Sequence, residues 1–493
     1  MSSTISRRNF FGMTAGAVAT AGLAPLICPG LVQASSAPRS YDDLLANDPA
    51  NDPANDPETY RASIDNACTF LNTMMDAYAQ GATVRLTESY SDQGGLLSTA
   101  FTYDNAVAIQ AYLLRGRAED IERAKVLGNG LIYAQANNFP VSDGRFAQAY
   151  FVNVPASDGS GAYITPAAAP FYFYGSAVGD QAWAGMALAQ LYRRTRNAAY
   201  LNAALKVANW IVTNTYDTRG PGGYTFGTNI NQFNQSVPST NGKSTEHNID
   251  TYAFFTMLAE LTRGGSAGNG TSWRHLAHHA FVFVQAMFNA EQHFFYTGTN
   301  TDQVTINTSN IPEDVQTWSY LALLDNRYKR SIDYALTHLQ TTDSATAPRS
   351  SLTGDERITG ETFASASLTS TTGDPNAVWL EGTGHTVAAL IARAFARHDW
   401  TQGDELHGSH GDVTAAVTFL RNIAKAQAEL GVGQTIHGVA LAPGQGIVSS
   451  TSQLDTGFGY NYYPNLHVGA TGWYVLAALG GNPFQLGYRS DRD

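Results

Sequence analysis

Two glutamates stand in polar clusters at the edges of otherwise apolar helical stretches. Glu246 opens Glu246-His247-Asn248-Ile249-Asp250, with Tyr252 just beyond. Burying so many polar groups together costs several kcal/mol unless they are paired or serve a ligand. Glu381 lies between Trp379-Leu380 and Gly382-Thr383-Gly384, an aromatic wall followed by glycines that allow close approach, and His385 comes next. Two facing carboxyl groups, one protonated and one ionised, can share acid and base work on one bond. Asp104, Asp180, Asp250 and Asp314 are further carboxylates in similar settings. Each could instead cap a helix and favour the positive end of its dipole. That reading is strongest for Asp180 and Asp314, whereas Asp104 fits ligand contact or water activation. All six in one repeated position are harder to explain as caps.

The repetition comes from the chain itself. Polar or aromatic clusters run into small-residue apolar helical segments at Thr102–Ala106, Gly179–Gly185, Thr245–Tyr252, Glu313–Trp318, Trp379–His385 and Val468–Trp473. With Asp104, Asp180, Asp250, Asp314, Glu381 and Thr471 as markers, the steps are 76, 70, 64, 67 and 90 residues. A near-even period marks a repeat architecture. A second set of helical stretches alternates with the first: Ser63–Tyr78, Ala118–Ala136, Ala198–Asn214, Ser272–Asn289, Arg327–Leu339 and Val413–Leu430. These carry apolar residues on one side and charges on the other, as surface helices do, whereas the first set is apolar nearly all round, as interior helices are. Six inner and six outer helices in strict alternation predict an all-α (α/α)6 toroid. Inner-to-outer connections are short (Arg115–Ala118, Arg194–Asn197) and outer-to-inner ones long, for example Asn137–Gly179 and Gln340–Val378. Long loops in a compact domain are usually functional, so the site is expected on the face where the inner helices begin.

A toroid with long loops at the inner-helix N-termini resembles the six-hairpin superfamily of carbohydrate-active enzymes, which holds glycoside hydrolases, some polysaccharide lyases and sugar 2-epimerases. The resemblance spans roughly residues 58–486 and rests on architecture and on the clusters above. It implies cleavage of glycosidic bonds in a poly- or oligosaccharide. Glu246 and Glu381 would then be the catalytic pair, with Asp104, Asp250, His247 and Tyr252 as further catalytic candidates. Substrate contacts are expected from Tyr103, Asn105, Asp180, Trp183, Asn248, Asp314, Trp318, Trp379, His385, Tyr460, Tyr463 and Trp473, because aromatic faces pack on pyranose rings while polar tips meet hydroxyls. A lyase is the first alternative. His247 or Tyr252 would abstract the proton beside a uronate carboxylate, Asn248 would neutralise that carboxylate, and Arg85, Arg145, Arg219, Lys243 and Arg357 would bind from the loops. A non-catalytic sugar-binding toroid needs only the aromatics, and a 2-epimerase would use paired histidines.

Composition narrows the partners. The 493-residue chain has a net charge of −12, only 14% charged residues and no basic stretch after residue 8. Nucleic acid is excluded, since phosphate binding needs clustered Lys and Arg. Ser6-Arg7-Arg8-Asn9-Phe10-Phe11, the apolar run 12–27 and Val32-Gln33-Ala34 resemble a twin-arginine export signal over residues 1–34. The run is too short for a stable membrane anchor. Export would place the protein in the periplasm or outside the cell. Losing Arg7 and Arg8 takes the charge from −12 to −14, and losing Cys28 leaves Cys68 as the one cysteine. Three Asn-Asp-Pro units make residues 35–57 a linker; they lack the glycine and closing glutamate of a calcium loop. The catalytic domain is expected over 58–486 with a tail at 487–493. No metal or cofactor is expected, and the protein is expected to be a monomer.

Overall fold

The computed structural model describes residues 57–78, 80–396 and 408–488; the expected signal and nearly all of the expected linker lie outside them. Among the described residues twelve α-helices run in chain order: α1 Pro57–Asp76, α2 Thr102–Arg115, α3 Ala118–Ala136, α4 Val178–Thr195, α5 Ala198–Thr215, α6 Thr245–Leu261, α7 Trp273–Ala286, α8 Asp314–Leu323, α9 Ser331–His338, α10 Leu380–Ala396, α11 Gly408–Glu429 and α12 Val468–Ala478. The even-numbered helices form the inner ring. Each packs on the next, and α12 closes on α2. Each inner helix also packs on the outer helix that follows it, and α12 takes α1, so the two ends of the chain meet in one hairpin. The chain is an (α/α)6 toroid.

Composition explains the two rings. Every residue of α12 is buried, whereas α3 exposes a charged side and buries Ala124, Leu127, Leu131 and Ala134. Small residues bring inner helices close: a Cβ on Gly185 would lie 2.2 Å from the Phe254 ring. The short inner-to-outer links begin on left-handed residues, Gly116, Arg196 and Leu324, which turn the backbone out of the helix.

The outer-to-inner loops are less plain than an all-α reading implies. They carry two- to five-residue strands in small antiparallel pairs, such as Gln340–Ser344 with Arg357–Glu361. Arg327, placed in an outer helix from sequence, sits in a 3-10 turn ahead of α9.

Each loop is pinned by a side chain near the start of the next inner helix. The backbone N–H of Thr87 donates to Asn105 (2.9 Å), Phe146 to Gln181 (2.7 Å), Tyr224 to Asn248 (2.8 Å), Phe295 to Gln316 (2.8 Å), Glu361 to Thr383 (3.0 Å) and Ile447 to Thr471 (2.9 Å). The four amides also return a bond to the same residue's carbonyl. All six clasping side chains are buried. Asn105 and Asn248, expected to touch substrate, are therefore fully engaged with backbone. Asn248→Ala should lower stability by about 1–3 kcal/mol for each Tyr224 group left unpaired, read as a lower urea midpoint. Unchanged stability with a raised KM would return Asn248 to the substrate.

The opposite face is closed by the C-terminal segment. Gln485 donates to the Leu321 and Ala322 carbonyls (2.9 and 3.0 Å) and Asn482 to Leu321 (2.9 Å), where α8 ends with unpaired carbonyls. Gln190 of α4 donates to the Gln485 carbonyl (2.9 Å), and the Tyr488 hydroxyl to the Gln110 carbonyl of α2 (2.9 Å). Phe484 rises between them to Trp183 and Trp318, 5.3 Å from each ring. Among the described residues, no helix is long and apolar enough to cross a membrane.

Candidate active site

The clasp sets the register of each inner-helix start, and so decides which neighbours face the toroid axis. Two residues before it come Tyr103, Gly179, Glu246, Asp314, Glu381 and Gly469; two residues after it come Val107, Trp183, Asp250, Trp318, His385 and Trp473. The second set forms a floor. Trp318 stacks on Trp473 (5.8 Å, 16°), Trp183 tilts against both (5.2 and 5.7 Å), and His385 packs on Trp318 and Trp473 (4.9 and 4.3 Å).

Glu381 stands above this floor and is 3% exposed. Its Oε1 accepts from the Tyr103 hydroxyl (2.5 Å), which itself accepts from the Trp473 indole N–H (2.7 Å). His385 Nε2 lies 3.8 Å from Oε1, and His467 Nδ1 lies 3.6 Å from Oε2. Behind each histidine stands another carboxylate: Glu313 is 3.1 Å from His385 Nδ1, and Asp104 is 3.2 Å from His467 Nε2. Burial opposes a charge on Glu381, but the nearby His385, the His467 charge and the hydrogen bond from the Tyr103 hydroxyl outweigh it and hold the carboxyl below its ordinary range. Burial also works against a charged His385, yet its hydrogen bond to Glu313 and the proximity of Glu381 raise it to about 9.

The other carboxyls are pushed the opposite way. Burial and then the charges of Asp314, Asp180 and Glu381 drive the half-buried Glu246 well up. Burial and then the Asp104 charge raise the half-buried Asp180 to about 8. Burial and then the adjacent Glu313 raise Asp314 to about 7. Asp250, fully buried, is driven well up by burial, Glu246 and Asp314; neither of its oxygens meets a hydrogen-bond partner. The site thus sets Glu381, held below the ordinary carboxylate range, among carboxyls pushed above it. Among the described residues, no group of three or more His, Cys, Asp or Glu could hold a metal ion.

Aromatic side chains form the wall. Tyr460 is 49% exposed, and its phenol faces Glu246, Asp314 and Glu381. Trp379 packs on Phe363 (4.6 Å) and Tyr462 (6.0 Å), and Gly382 leaves room for its ring, since a Cβ there would lie 2.2 Å away. Tyr90 stacks on His467 (4.1 Å, 8°).

Three other expected residues sit differently. Tyr252 packs on Phe281 of the outer helix α7 (6.1 Å). Asn248 and Tyr252 do share a helix face, but it is turned outward, away from the carboxyls. His247 lies against Phe226 (4.5 Å), and burial lowers it to about 4, so it is neutral. Tyr463, 47% exposed, follows Tyr462 on extended backbone, where successive side chains face opposite ways. The basic residues proposed for uronates are mostly occupied: Arg85 with Asp76, Arg145 with Asp143, and Lys243 and Arg219 with Asp217. Sequence reasoning missed Tyr90, Glu313, Glu361 and His467 as site residues. Glu313 was inside a quoted cluster, one residue before the marker Asp314.

Glu361 is fully buried beside Glu313, with no partner for either oxygen. Burial and then the Glu313 charge hold it well above the carboxylate range. The folded state therefore keeps a proton that the unfolded chain releases above pH ~4.3. Its contribution to stability is undiminished below that pH and declines as pH rises toward the folded value. Glu361→Gln should match wild type in thermal midpoint near pH 4 and exceed it at pH 8. Parallel pH dependence in the two proteins would show that Glu361 is ionised in the fold.

No family model matches the chain, and no curated protein does. Solved structures do. An α-mannanase of glycoside hydrolase family 76 from Bacteroides thetaiotaomicron is 12% identical over 88% of this chain and 98% of its own, with a TM-score of 0.51. A cellobiose 2-epimerase from Bacillus thermoamylovorans is 9% identical over 85% and 99%, with a TM-score of 0.51. A sugar epimerase from a ruminal bacterium is 11% identical over 85% and 97%, with a TM-score of 0.52. Likeness at this identity is likeness of fold: the chain shares the (α/α)6 toroid of these carbohydrate-active enzymes.

Proposed function

We propose that the protein is an exported glycoside hydrolase that cleaves a poly- or oligosaccharide by carboxylate acid–base chemistry. The observation that carries this reading is that two carboxyls of one site are pushed in opposite directions: Glu381 below its ordinary range by His385, His467 and Tyr103, and the half-buried Glu246 well above its own by burial and neighbouring carboxylates. Glu246 gives its proton to the departing glycosidic oxygen. Glu381 takes a proton from water, or attacks the anomeric carbon itself. The bond from that carbon to the leaving oxygen breaks, and water supplies the new hydroxyl. Such a split between two carboxyls is what glycoside hydrolysis requires. Tyr460, half exposed, offers a ring face to the sugar. Twin-arginine export of a folded chain agrees with Cys68 being a buried free thiol.

A polysaccharide panel read for reducing ends tests the reading, and α-mannan belongs in it because one structural neighbour is an α-mannanase. Activity should be bell-shaped in pH, lost at low pH as Glu381 gains a proton and at high pH as Glu246 loses one. Products absorbing as unsaturated uronates would replace hydrolysis with elimination. A 2-epimerase is the second reading, favoured by His247, a neutral imidazole whose Nδ1 has no partner. It would yield an epimer and no new reducing ends.

A further inference from the structure

Glu381 is gripped from two sides by histidine–carboxylate pairs that belong to four different elements. His467 precedes α12 and meets Asp104 of α2; its Nε2 lies 3.2 and 3.3 Å from the two Asp104 oxygens. Its Nδ1 has two possible partners. The Ala470 N–H donates to it at 3.2 Å, which caps α12, and Glu381 Oε2 stands 3.6 Å away. A neutral ring uses the Nδ1 lone pair for the cap. A protonated ring carries a hydrogen there and turns the same atom into a donor toward Glu381. Tyr90, stacked at 4.1 Å and 8°, fixes the plane of the ring. The chain also reserves the space: a Cβ on Gly469 would lie 2.6 Å from Asp104 Oδ1 and 2.7 Å from His467 Cε1.

We propose that His467, oriented by Asp104, is a positioning residue that holds Glu381 charged and correctly aimed, and that Asp104 works through this ring and not on the sugar. The role rests on the hydrolytic reading of Glu381 given above. The ionisable groups facing Glu381 are Tyr103 and Asp104 from α2, Glu246 from α6, Asp314 from α8, His385 on its own helix, and Tyr90, Tyr460, Tyr462 and His467 from the loops. Only the two histidines can bring positive charge. His385 is tied to Glu313 (3.1 Å), so His467 supplies the cation on the Oε2 side. A cap for α12 alone would need no aspartate behind the ring.

The test joins kinetics to a readout that needs no substrate. His467→Gln should lower kcat/KM ~10–100-fold with KM nearly unchanged, and should move the acid limb of the pH profile up by about one pH unit, the size expected on losing an adjacent opposite charge. Asp104→Asn should move the limb the same way by less. A ring that only caps α12 would lower the denaturation midpoint and leave the limb in place, which would overturn the proposal. In the wild-type protein, imidazole ¹⁵N titration should find His467 protonated at pH 7. Its pKa should fall in Glu381→Gln and in Asp104→Asn, both of which leave the ring itself in place. A neutral His467 in wild type, or a pKa unmoved by both changes, would also overturn it. If no glycan is hydrolysed but the titration behaves as described, the hydrolytic reading fails and the clamp on Glu381 stands.

Discussion

Glu381→Gln is expected to lower turnover ~100-fold or more while the protein stays folded. The substitution keeps the size of the side chain and its contact with the Tyr103 hydroxyl, so the structural loss is small. It removes the one carboxylate at the site that its surroundings hold below the ordinary range. An amide cannot take a proton from water or attack an anomeric carbon, and a positioned acid or base contributes typically 10²–10⁴-fold. Loss of the charge also leaves His385 and His467 without their shared partner. The far-ultraviolet spectrum and gel-filtration volume should match wild type. Near-normal turnover would remove Glu381 from the chemistry and leave Asp180, Asp314 and Glu246 to be tested in its place.

Phe484→Ala is expected to cost about 3–5 kcal/mol, the usual penalty for emptying a buried phenylalanine site. Phe484 is 2% exposed, with its ring 5.3 Å from both Trp183 and Trp318. Those tryptophans floor the site and belong to α4 and α8, which already have the inner ring on either side. Little can move in to fill the gap, because the neighbouring contacts of the C-terminal segment are directional hydrogen bonds: Gln190 of α4 donates to the Gln485 carbonyl, and Gln485 donates to carbonyls of α8. Urea unfolding monitored by tryptophan fluorescence would report both the lost stability and the loosened floor. A change below about 1 kcal/mol would mean that the segment rests on the toroid without supporting it.

The toroid was legible because its two helix types differ in hydrophobic pattern, and a pattern repeated around the ring is hard to mistake. The small ladders in the loops were not, since two-residue strands such as Gly298–Thr299 carry no period to detect. The inner-helix clusters were visible but mixed two jobs. Asn248 and Glu246 are two residues apart, and the helix turn between them sends one to the Tyr224 backbone and the other to the site. Nothing in residue type tells a clasping amide from a substrate-binding one. The even spacing therefore reports the architecture more directly than the chemistry. His467 escaped notice because it stands just before α12 with no acidic neighbour in sequence; its partner Asp104 lies 363 positions away. Tyr252 was misplaced for a related reason: it shares a helix face with Asn248, and that face belongs to the outer-helix side.

The central claim is that Glu246 donates the proton and Glu381 accepts one. The most direct measurement compares Glu246→Gln and Glu381→Gln on the natural glycan and on an aryl glycoside of the same sugar, whose leaving group departs without a proton. Glu246→Gln should be ~100-fold or more impaired on the glycan yet recover to within a few-fold of wild type on the aryl glycoside, while Glu381→Gln stays impaired on both. Equal impairment of Glu246→Gln on the two substrates, or recovery of Glu381→Gln on the aryl glycoside, would contradict this division of roles.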